Sequence, residues 1–331
     1  MSAPTGERKP VVVVMGTTAD EPPPGIDVIA GDVELRYAPD RATLERIIVD
    51  ADIVYAWWVD PDDLEKAWPS AERLRWVAAS NVGINRMLFP ALVGSDVVLT
   101  NARGAADEPI AETVVGFIVA MAKGFRRVFD DQRAHVWGPR GIQRLAGTRL
   151  LVVGPGPIGR TIACAVRDGL GMRVEAVGRT ARPADDVFER IRGADELHAA
   201  LADADFVVDA MPLTPQTRHV FNAAAFAAMK PTARFINVGR GATVDEPALV
   251  EALSAGRIAG AALDVFEEEP LPTDSPLWDM EQVIVFPHMS GDVEGWETDF
   301  ANVFYDNMGR WLRGEPLRNV VDKQLGFPTG S

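Results

Sequence analysis

Cysteine and long apolar segments are nearly missing from this chain of 331 residues. Cys164 stands alone, which excludes a disulfide framework and a cysteine-rich metal site within a single chain. No apolar run approaches the ~20 residues that a membrane-spanning helix needs. The polar start, MSAPTGERKP, is followed by only four valines and a methionine, too few for the apolar region of a signal peptide. These absences predict a soluble, cytoplasmic protein with no membrane partner and no bound metal.

Positive charge is also in short supply. Lysine and arginine together number 33 against 48 aspartates and glutamates, for a net charge of −15. A surface with that balance repels phosphate backbones and anionic lipids, so we expect no nucleic-acid partner. The remaining composition is that of an ordinary globular protein, with 47% hydrophobic and 24% charged residues. At roughly 100–200 residues per domain, the length favours two domains.

Short apolar runs alternate with helical patterns along the first part of the chain. The run at 11–15 is wholly apolar, as expected of a strand that is buried on both faces. Leu44, Ile47 and Ile48 have helical spacing behind Asp40, a residue type that caps helices. Further strands are predicted at 33–37, 53–57, 74–79 and 97–100. Repeated alternation of strand and helix predicts a parallel sheet with crossover helices.

A second alternating region follows a long apolar helix predicted at 108–123. The arginine-rich segment after that helix, which contains His135 and Trp137, lacks a clear period and is predicted to be an irregular arm. A strand at 149–154 comes next, followed by a glycine turn, a helix at 161–170 and a second strand at 173–177. Three more strands are predicted at 206–210, 234–238 and 258–263, followed by an apolar segment at 283–286. A last amphipathic helix is predicted at 296–312.

The glycine turn reads Gly154-Pro-Gly156-Pro-Ile-Gly159, a G-x-G-x-x-G between the strand LLVV and a helix. In that context Gly154 permits the tight turn, Gly156 lets the backbone approach a pyrophosphate, and Gly159 lets the helix pack close to the strand. The anion is expected at the helix N-terminus. The motif predicts a dinucleotide site, against the simpler interpretation of a strand–turn–helix whose glycines are purely structural.

The strand at 173–177 ends without the carboxylate that binds the ribose of NAD in such sites. Arg179, Thr180 and Arg182 follow it instead. Without a carboxylate there is no repulsion of a 2′-phosphate, and Arg179 can pair with that phosphate through charge-assisted hydrogen bonds. We therefore expect NADPH to be preferred, with NAD possible as an alternative cofactor. The other interpretation is that both arginines are solvated turn residues.

Three segments late in the chain carry a resemblance to a known family. NVGRGATVDEPAL at 237–249, LDVFEEEPLP at 263–272 and PHMSG at 287–291 resemble the arginine, glutamate and histidine motifs of the D-isomer-specific 2-hydroxyacid dehydrogenases. Arg240 lies 29 residues before Glu269, which lies 19 residues before His288, and these spacings also fit the family. The resemblance extends from about residue 74 to about residue 321.

The resemblance implies an α/β fold of two doubly wound, Rossmann-like parallel-sheet domains. A flavodoxin-like substrate-binding domain is expected to comprise residues 1–103 and 290–331. An NAD(P)-binding Rossmann domain, residues 104–289, is expected to be inserted into it, with the active site in the cleft. The family is typically homodimeric, and the arm at 135–144 lies where its members exchange contacts. Trp137 would then reach the partner's cleft or, equally, pack within its own subunit.

The resemblance also implies the chemistry, hydride transfer from the nicotinamide to a 2-keto carbon with protonation of the carbonyl oxygen. His288 is the expected proton donor, since imidazole titrates near neutrality. Glu269 is expected to orient the ring, and Arg240 to bind the substrate carboxylate and polarise the carbonyl. Backbone N–H groups of Val82 and Gly83 are expected to bind the same carboxylate. Further cofactor contacts are expected from Pro157, Ile158, Met211, Pro212, Thr217, Val238, Asp264 (on the nicotinamide amide) and Gly291.

These residues predict an NADPH-preferring D-2-hydroxyacid dehydrogenase that acts as a 2-ketoacid reductase of the glyoxylate/hydroxypyruvate type. A phosphoglycerate-type dehydrogenase and a dinucleotide-sensing protein without enzymatic activity are the alternatives. The identity of the substrate and the physiological direction are left open. Trp57 or Trp58 could face the substrate, Ser290 could hydrogen-bond it, and Met289 could line its pocket. His219 is interpreted as an ordinary residue without a catalytic role.

Overall fold

The computed structural model describes residues 8–57 and 60–328, so Trp58 lies outside the described residues. The chain divides into two compact units. Unit 1 comprises Met1–Ala105 and Glu294–Ser331, and unit 2 comprises Ala106–Val293. Unit 2 is therefore inserted into the sequence of unit 1. The sequence predicted these boundaries after residues 103 and 289.

Unit 1 is built on a five-stranded parallel sheet with short helices. The strands are β1 (Val11–Met15), β2 (Glu34–Ala38), β3 (Ile53–Ala56), β4 (Trp76–Ala79) and β5 (Val98–Thr100). The helices among them are α1 (Asp27–Ala30), α2 (Arg41–Ile47), α3 (Pro61–Ala67) and α4 (Pro90–Val93). The strands run parallel in the order β2-β1-β3-β4-β5. This is the order of flavodoxin-like sheets, so the predicted fold class is confirmed here.

The elements of unit 1 follow from their local sequence. Every residue of β1 is buried, as its unbroken apolar run predicted. Asp40 caps α2, because its side chain accepts a hydrogen bond from the Thr43 N–H at 2.7 Å. Leu44 and Ile48 then pack into the core of this unit. The predicted cap and the apolar spacing therefore determine where α2 begins and which face it buries.

Unit 2 is built on a seven-stranded parallel sheet preceded by two consecutive helices, α5 (Asp107–Lys123) and α6 (Phe125–Arg133). The strands are β6 (Arg149–Val153), β7 (Arg173–Val177), β8 (Arg190–Arg192), β9 (Phe206–Asp209), β10 (Arg234–Asn237), β11 (Gly260–Leu263) and β12 (Val283–Val285). The helices among them are α7 (Pro157–Leu170), α8 (Leu197–Leu201), α9 (Ala223–Ala228) and α10 (Glu246–Ser254).

The strand order of unit 2 shows where a ligand is expected. The order is β12-β11-β10-β9-β6-β7-β8, and every pair is parallel. The direction of winding reverses between β6 and β9. In doubly wound sheets, ligands bind at the carboxyl ends of the strands beside such a reversal. The Rossmann-like fold predicted for this unit is confirmed, and the loops after β6 and β9 begin at Gly154 and Ala210.

The segment after α5 differs from the prediction, which had no helix there. Gly124 ends α5 in the left-handed conformation, with φ 63°, and α6 begins at the next residue. Phe125, Val128 and Phe129 have the i, i+3, i+4 spacing of one helix face. That face is 40–53% exposed, and the intervening charged residues obscured the period in the sequence. Irregular backbone begins only after α6, so the predicted arm is shorter than expected.

Unit 1 is completed by the long helix α11 (Trp296–Arg313) and an antiparallel ribbon of β13 (Val321–Asp322) and β14 (Phe327–Pro328). Aromatic rings join α11 to the sheet of the same unit. Phe304 stacks on Tyr55 with ring centroids 3.9 Å apart, and Trp311 stacks on Trp76 at 5.5 Å. These contacts join α11 to β3 and β4. Within residues 8–57 and 60–328, no helix combines the length and the apolarity of a membrane span.

Candidate active site

The glycine-rich turn after β6 has the geometry that close approach of an anion requires. Gly154 adopts φ 99°, and a Cβ added there would lie 2.8 Å from the carbonyl oxygen of Ala210. Gly156 precedes α7 in an extended conformation, with open space at its Cβ position. Pro157 occupies the first turn of α7, and the other N–H groups of that turn have no partner within the helix. Such a turn fits the pyrophosphate of a dinucleotide.

Gly159 permits the close packing of α7 on β6. A Cβ at this position would overlap the carbonyl oxygen of Gly154 and lie 2.8 Å from Val152 Cγ1. We expect Gly159→Ala to lower the free energy of unfolding by about 1–3 kcal/mol, as overpacking does. Dinucleotide binding should weaken as well, because the turn must shift to admit the methyl group. Thermal denaturation with and without NADPH measures both effects.

Gly169→Ala is the matched control for that substitution. Gly169 is exposed in the same helix and has nothing within 4 Å of its Cβ position. Replacing a glycine in a helix interior should stabilise the protein by about 0.5–1 kcal/mol and leave dinucleotide binding unchanged. Similar behaviour of the two variants would show that the Gly159 contact is unimportant.

The turn after β7 places positive charge beside the glycine-rich turn. A Cβ at Gly178 would lie 3.3 Å from Pro155 Cγ, so the two turns are neighbours. Arg179, Thr180 and Arg182 are exposed. In the part of the chain that the structure describes, neither arginine has a carboxylate at salt-bridge distance. Other arginines nearby are paired: Arg160 with Asp185, Arg173 with Glu189, Arg190 with Glu196 and Arg192 with Glu175.

A buried carboxylate fixes the loop after β9. Asp209 is fully buried, and burial raises its pKa to about 7 against the opposing effect of its hydrogen bonds. Its Oδ1 accepts from the Met211 N–H at 2.9 Å, and its Oδ2 accepts from the Thr243 hydroxyl. Thr217 Oγ1 donates to the Pro212 carbonyl at 2.7 Å. Met211, Pro212 and Thr217 therefore belong to one ordered turn beside the winding reversal, whereas Asp209 itself was missed by the sequence analysis.

Arg240 follows β10 in a tightly held loop that begins at the buried Val238. Asn237 Oδ1 accepts from the Gly239 N–H at 3.0 Å, and Asn237 Nδ2 donates to the Arg240 carbonyl at 3.2 Å. The guanidinium donates to the Gly239 carbonyl at 2.6 Å. It has no carboxylate at salt-bridge distance among the described residues. Burial lowers the pKa of Arg240, and the charges of nearby carboxylates oppose this effect. The guanidinium is suited to bind an anionic ligand.

The structure brings His288 and Glu269 together. His288 Nδ1 lies 2.6 Å from Glu269 Oε2, and Glu269 Oε1 accepts from the Phe266 N–H at 2.9 Å. The His288 N–H donates to the Asp264 carbonyl at 2.8 Å. The His288 Nε2 atom makes no hydrogen bond to any described residue, and the side chain is 51% exposed. One nitrogen of the ring is therefore anchored, and the other is open to a ligand.

The pair shifts both pKa values in the direction that a proton donor needs. The hydrogen bond to Glu269 raises the pKa of His288 above its usual value, although burial opposes this. Burial favours the neutral form of Glu269, but its hydrogen bonds to His288 and the Phe266 N–H hold the pKa of Glu269 below its usual value. The charge of Arg240 acts on both groups, so the three side chains lie within electrostatic reach of one another. Near neutral pH the arrangement favours an imidazolium beside a carboxylate.

Asp264 and Ser290 interact with each other rather than presenting free polar groups. Ser290 is 4% exposed, and its hydroxyl donates to Asp264 Oδ2. Asp264 Oδ1 accepts from the N–H groups of Met289 at 2.9 Å and Ser290 at 3.1 Å. Gly291 packs against Ala106, since a Cβ on the glycine would lie 3.2 Å from the alanine Cβ. Ser290 therefore helps to fix the turn after His288, while Met289 is 43% exposed.

Val82 and Gly83 lie in the loop after β4 of unit 1. Asn101 Nδ2 donates to the Val82 carbonyl at 2.6 Å, and the Ala102 N–H donates to the Asn81 carbonyl at 3.1 Å. The N–H groups of Val82 and Gly83 bond to none of the residues that the structure describes. The loop is thus braced through its carbonyls, and its N–H groups remain available. The buried Asn101 carried no motif that would have identified it from the sequence.

The tryptophans that the sequence singled out have different environments. Trp57 is 7% exposed, packs against Tyr55 with ring centroids 5.6 Å apart, and lines a depression of unit 1 with Thr17 and Glu297. Trp58 lies outside the described residues. Trp137 is 96% exposed, which contradicts the alternative that it packs within its own subunit.

The chain is also similar to known proteins. Residues 115–290 match the family model described as D-isomer specific 2-hydroxyacid dehydrogenase, NAD binding domain. The chain is similar to glyoxylate/hydroxypyruvate reductase B of Pectobacterium carotovorum, with 35% identity over 272 residues that cover 81% of this chain and 83% of the relative. It is also similar to D-3-phosphoglycerate dehydrogenase of Methanocaldococcus jannaschii, with 32% identity over 300 residues that cover 88% of this chain and 56% of that relative.

A solved structure extends the similarity to the fold. The NADPH-dependent glyoxylate/hydroxypyruvate reductase of Sinorhizobium meliloti, in complex with NADP and sulfate, matches with a TM-score of 0.82 and 29% sequence identity. The match covers 97% of this chain and 100% of that chain.

Proposed function

This chain belongs to the D-isomer-specific 2-hydroxyacid dehydrogenase family, a family of NAD(P)-dependent oxidoreductases, and we propose that it is an NADPH-preferring 2-ketoacid reductase of the glyoxylate/hydroxypyruvate type. The observation that carries the proposal is the imidazole of His288. Its Nδ1 atom lies 2.6 Å from Glu269 Oε2, and its Nε2 atom bonds to none of the residues that the structure describes. Arg240 lies within electrostatic reach of both groups and has no carboxylate partner among the described residues. The guanidinium of Arg240 can bind an anion, and the imidazole of His288 can donate a proton. Together they suit a substrate with a carboxylate next to a carbonyl.

Each side chain has a distinct part in the proposed reaction. Arg240 pairs with the substrate carboxylate and places positive charge near the keto oxygen. His288 donates the Nε2 proton to that oxygen, while Glu269 holds the ring through Nδ1 and stabilises its charged form. When bound, NADPH supplies the hydride that reduces the keto carbon. We further propose that the N–H groups of Val82 and Gly83 in unit 1 contribute to substrate binding.

We propose that residues of unit 2 hold the dinucleotide along the carboxyl edge of the sheet. The glycine-rich turn is proposed to hold the pyrophosphate, and the exposed arginines after β7 a 2′-phosphate. The ordered turn after β9, with the loop that begins at Val238, is proposed to contact the rest of the cofactor. Gly291 lies in the turn that follows His288, and Asp264, directly after β11, accepts a hydrogen bond from the Met289 N–H of that turn. Both are proposed to contact the cofactor.

The stereochemistry of the reverse reaction tests the proposed activity. With NADP⁺ as oxidant, we expect D-glycerate and D-lactate to be oxidised and their L-enantiomers to be left unchanged, because one face of the keto carbon is presented in the forward reaction. Absorbance of NADPH measures each rate. D-3-phosphoglycerate serves as a further substrate, and a rate with it far above that with D-glycerate would favour the phosphoglycerate-type alternative. Equal rates with both enantiomers would contradict the proposal.

The preference for NADPH is tested on Arg179 and Arg182, the two arginines after β7 that have no carboxylate partner among the described residues. Replacing both Arg179 and Arg182 by alanine should raise the KM for NADPH about 10- to 100-fold. The reason is that hydrogen bonds to charged groups contribute about 1.5–3 kcal/mol. The KM for NADH should change little, because NADH has no 2′-phosphate. Steady-state kinetics with both cofactors measures the ratio.

Arg190→Ala is the matched control, because Arg190 lies on the neighbouring strand β8 and is paired with Glu196 at 3.0 Å. It should leave both KM values unchanged. A wild-type enzyme that prefers NADH, or a double variant in which both KM values rise equally, would contradict the proposed role of the arginines.

We also propose that the protein is a homodimer. The exposed apolar residues of α6 and the segment that follows it support this, because exposed apolar surface often marks protein–protein contacts. These residues are Phe125, Val128, Phe129, Val136, Trp137 and Ile142, each at least 40% exposed.

A further inference from the structure

A second histidine–glutamate pair lies near the proposed catalytic one in unit 2. His219 Nε2 lies 2.5 Å from Glu267 Oε1. Glu267 comes two residues before Glu269, in the loop after β11. The sequence analysis interpreted His219 as an ordinary residue, and no part of the proposed chemistry uses it.

The backbone of His219 contacts the other catalytic loop. Its N–H donates to the carbonyl of Ala242 at 3.0 Å, and Ala242 comes two residues after Arg240. Two residues further along, the Phe221 N–H donates to the Thr243 carbonyl at 3.1 Å. His219 therefore bonds through its main chain to the loop of Arg240 and through its side chain to the loop of Glu269.

Glu267 is held on its other side by the start of α10. Glu267 Oε2 accepts from the Glu246 N–H at 3.3 Å, and the Glu267 N–H donates to Glu246 Oε2 at 3.3 Å. The preceding peptide is also confined, since a Cβ at Gly241 would overlap the Phe266 carbonyl. The Phe266 N–H in turn donates to Glu269 Oε1 at 2.9 Å. A continuous set of contacts thus runs from His219 through the Glu267 loop to the carboxylate that holds His288.

The backbone of His219 is in an uncommon conformation, with φ 51°. Residues other than glycine seldom adopt positive φ, and histidine, asparagine and aspartate do so more readily than most. The surrounding contacts maintain this conformation, which directs the His219 backbone to one loop and its ring to the other.

We propose that His219 and Glu267 are positioning residues, which hold the loop of Glu269 against the loop of Arg240 and so keep the Glu269 carboxylate at hydrogen-bond distance from His288. The inference rests on the proposed roles of Glu269 and His288. Displacement of a catalytic group by about 1 Å can cost up to about 100-fold in rate, so a modest loosening of the loop has a measurable effect.

The experiment follows the imidazole of His288 directly, in the full chain without substrate or cofactor. The chain has 4 histidines, so nuclear magnetic resonance of ¹⁵N-labelled imidazoles resolves each titration. His288 faces Glu269, Asp264 and Arg240, and the bond to Glu269 is the main cause of its raised pKa. In His219→Asn, asparagine tolerates the positive φ but has a shorter side chain than histidine. In Glu267→Gln, the amide keeps the shape of the carboxylate without its charge.

Both variants should lower the pKa of His288 towards the unperturbed value of about 6.5. Both should also lower kcat about 10-fold, with little change in the KM for NADPH, and the double variant should lose no more than either single one. His219→Gln should restore part of the loss, because its amide can donate to Glu267.

Two matched controls accompany these variants. His198→Asn changes an exposed histidine at α8, and Glu268→Gln removes the same charge from the adjacent exposed residue. Both should leave the pKa of His288 and kcat unchanged. If His288 titrates as in the wild type in both His219→Asn and Glu267→Gln, the proposal is overturned, whatever happens to the rate. Because the titration needs no turnover, it decides this proposal even if the proposed activity fails.

Discussion

Replacing His288 with glutamine is expected to lower kcat for 2-keto acid reduction about 10²- to 10⁴-fold, the usual contribution of a positioned general acid. The Nε2 atom that makes no hydrogen bond to a described residue would be lost, and an amide cannot supply a proton to the keto oxygen. The dissociation constant for NADPH should stay nearly unchanged, because the loops proposed to hold the pyrophosphate and the 2′-phosphate do not include His288. Stopped-flow reduction and a fluorescence titration with NADPH measure the two quantities separately.

The pH dependence of the reaction rate provides a second test of His288→Gln. In the wild type, reduction requires the imidazolium, so the rate should be full at low pH and fall as pH rises through the raised pKa of His288. Oxidation requires the neutral ring and should show the opposite trend. His288→Gln should remove this dependence, and His198→Gln, a change at an exposed residue of α8, should preserve it. Turnover close to wild type in His288→Gln would refute the assignment of the acid.

Replacing Arg240 with glutamine is expected to lower kcat/KM about 10²- to 10³-fold, similar to the loss of one preorganised donor at a developing oxyanion. Arg240→Lys should recover only part of this loss, because an ammonium keeps the charge without the planar fork that binds a carboxylate at two points. Steady-state kinetics with glyoxylate and hydroxypyruvate measures both variants.

Arg257→Lys is the control for Arg240, since Arg257 is an exposed residue after α10. It should leave kcat/KM unchanged. If Arg240→Lys equals the wild type, charge alone is sufficient and the bidentate role is wrong. If Arg240→Gln also equals the wild type, the substrate carboxylate is bound elsewhere.

Much of the fold could be predicted because local patterns determine it. β7 begins and ends at the predicted residues, 173 and 177, and β1 does so at 11 and 15. α7 begins at Pro157, four residues before the prediction, because proline at the first helical position extends the helix into the glycine motif. β8 was not predicted, since three residues with one isoleucine between two arginines carry no period. Its pairing with β7 in the folded structure defines that edge strand.

In the candidate site, too, the sequence identified residues in local motifs but not the contacts between residues far apart in the chain. Arg240, Glu269 and His288 lie in motifs that end strands, so the sequence could single them out. The hydrogen bond from Thr243 to Asp209 spans 34 positions, and the one between His219 and Glu267 spans 48. No spacing rule connects residues so far apart in the chain. The partners that hold the catalytic loops in place therefore became visible only in the folded structure.

The most direct test of the central claim is the oxidation of NADPH, followed by absorbance, with a panel of 2-keto acids. The panel runs from glyoxylate and hydroxypyruvate through pyruvate to phenylpyruvate, and each reaction is repeated with NADH. We predict rapid loss of NADPH with glyoxylate or hydroxypyruvate and slower reactions with NADH. Tight binding of NADPH without turnover of any member of the panel would contradict a 2-ketoacid reductase and would favour a dinucleotide-sensing protein.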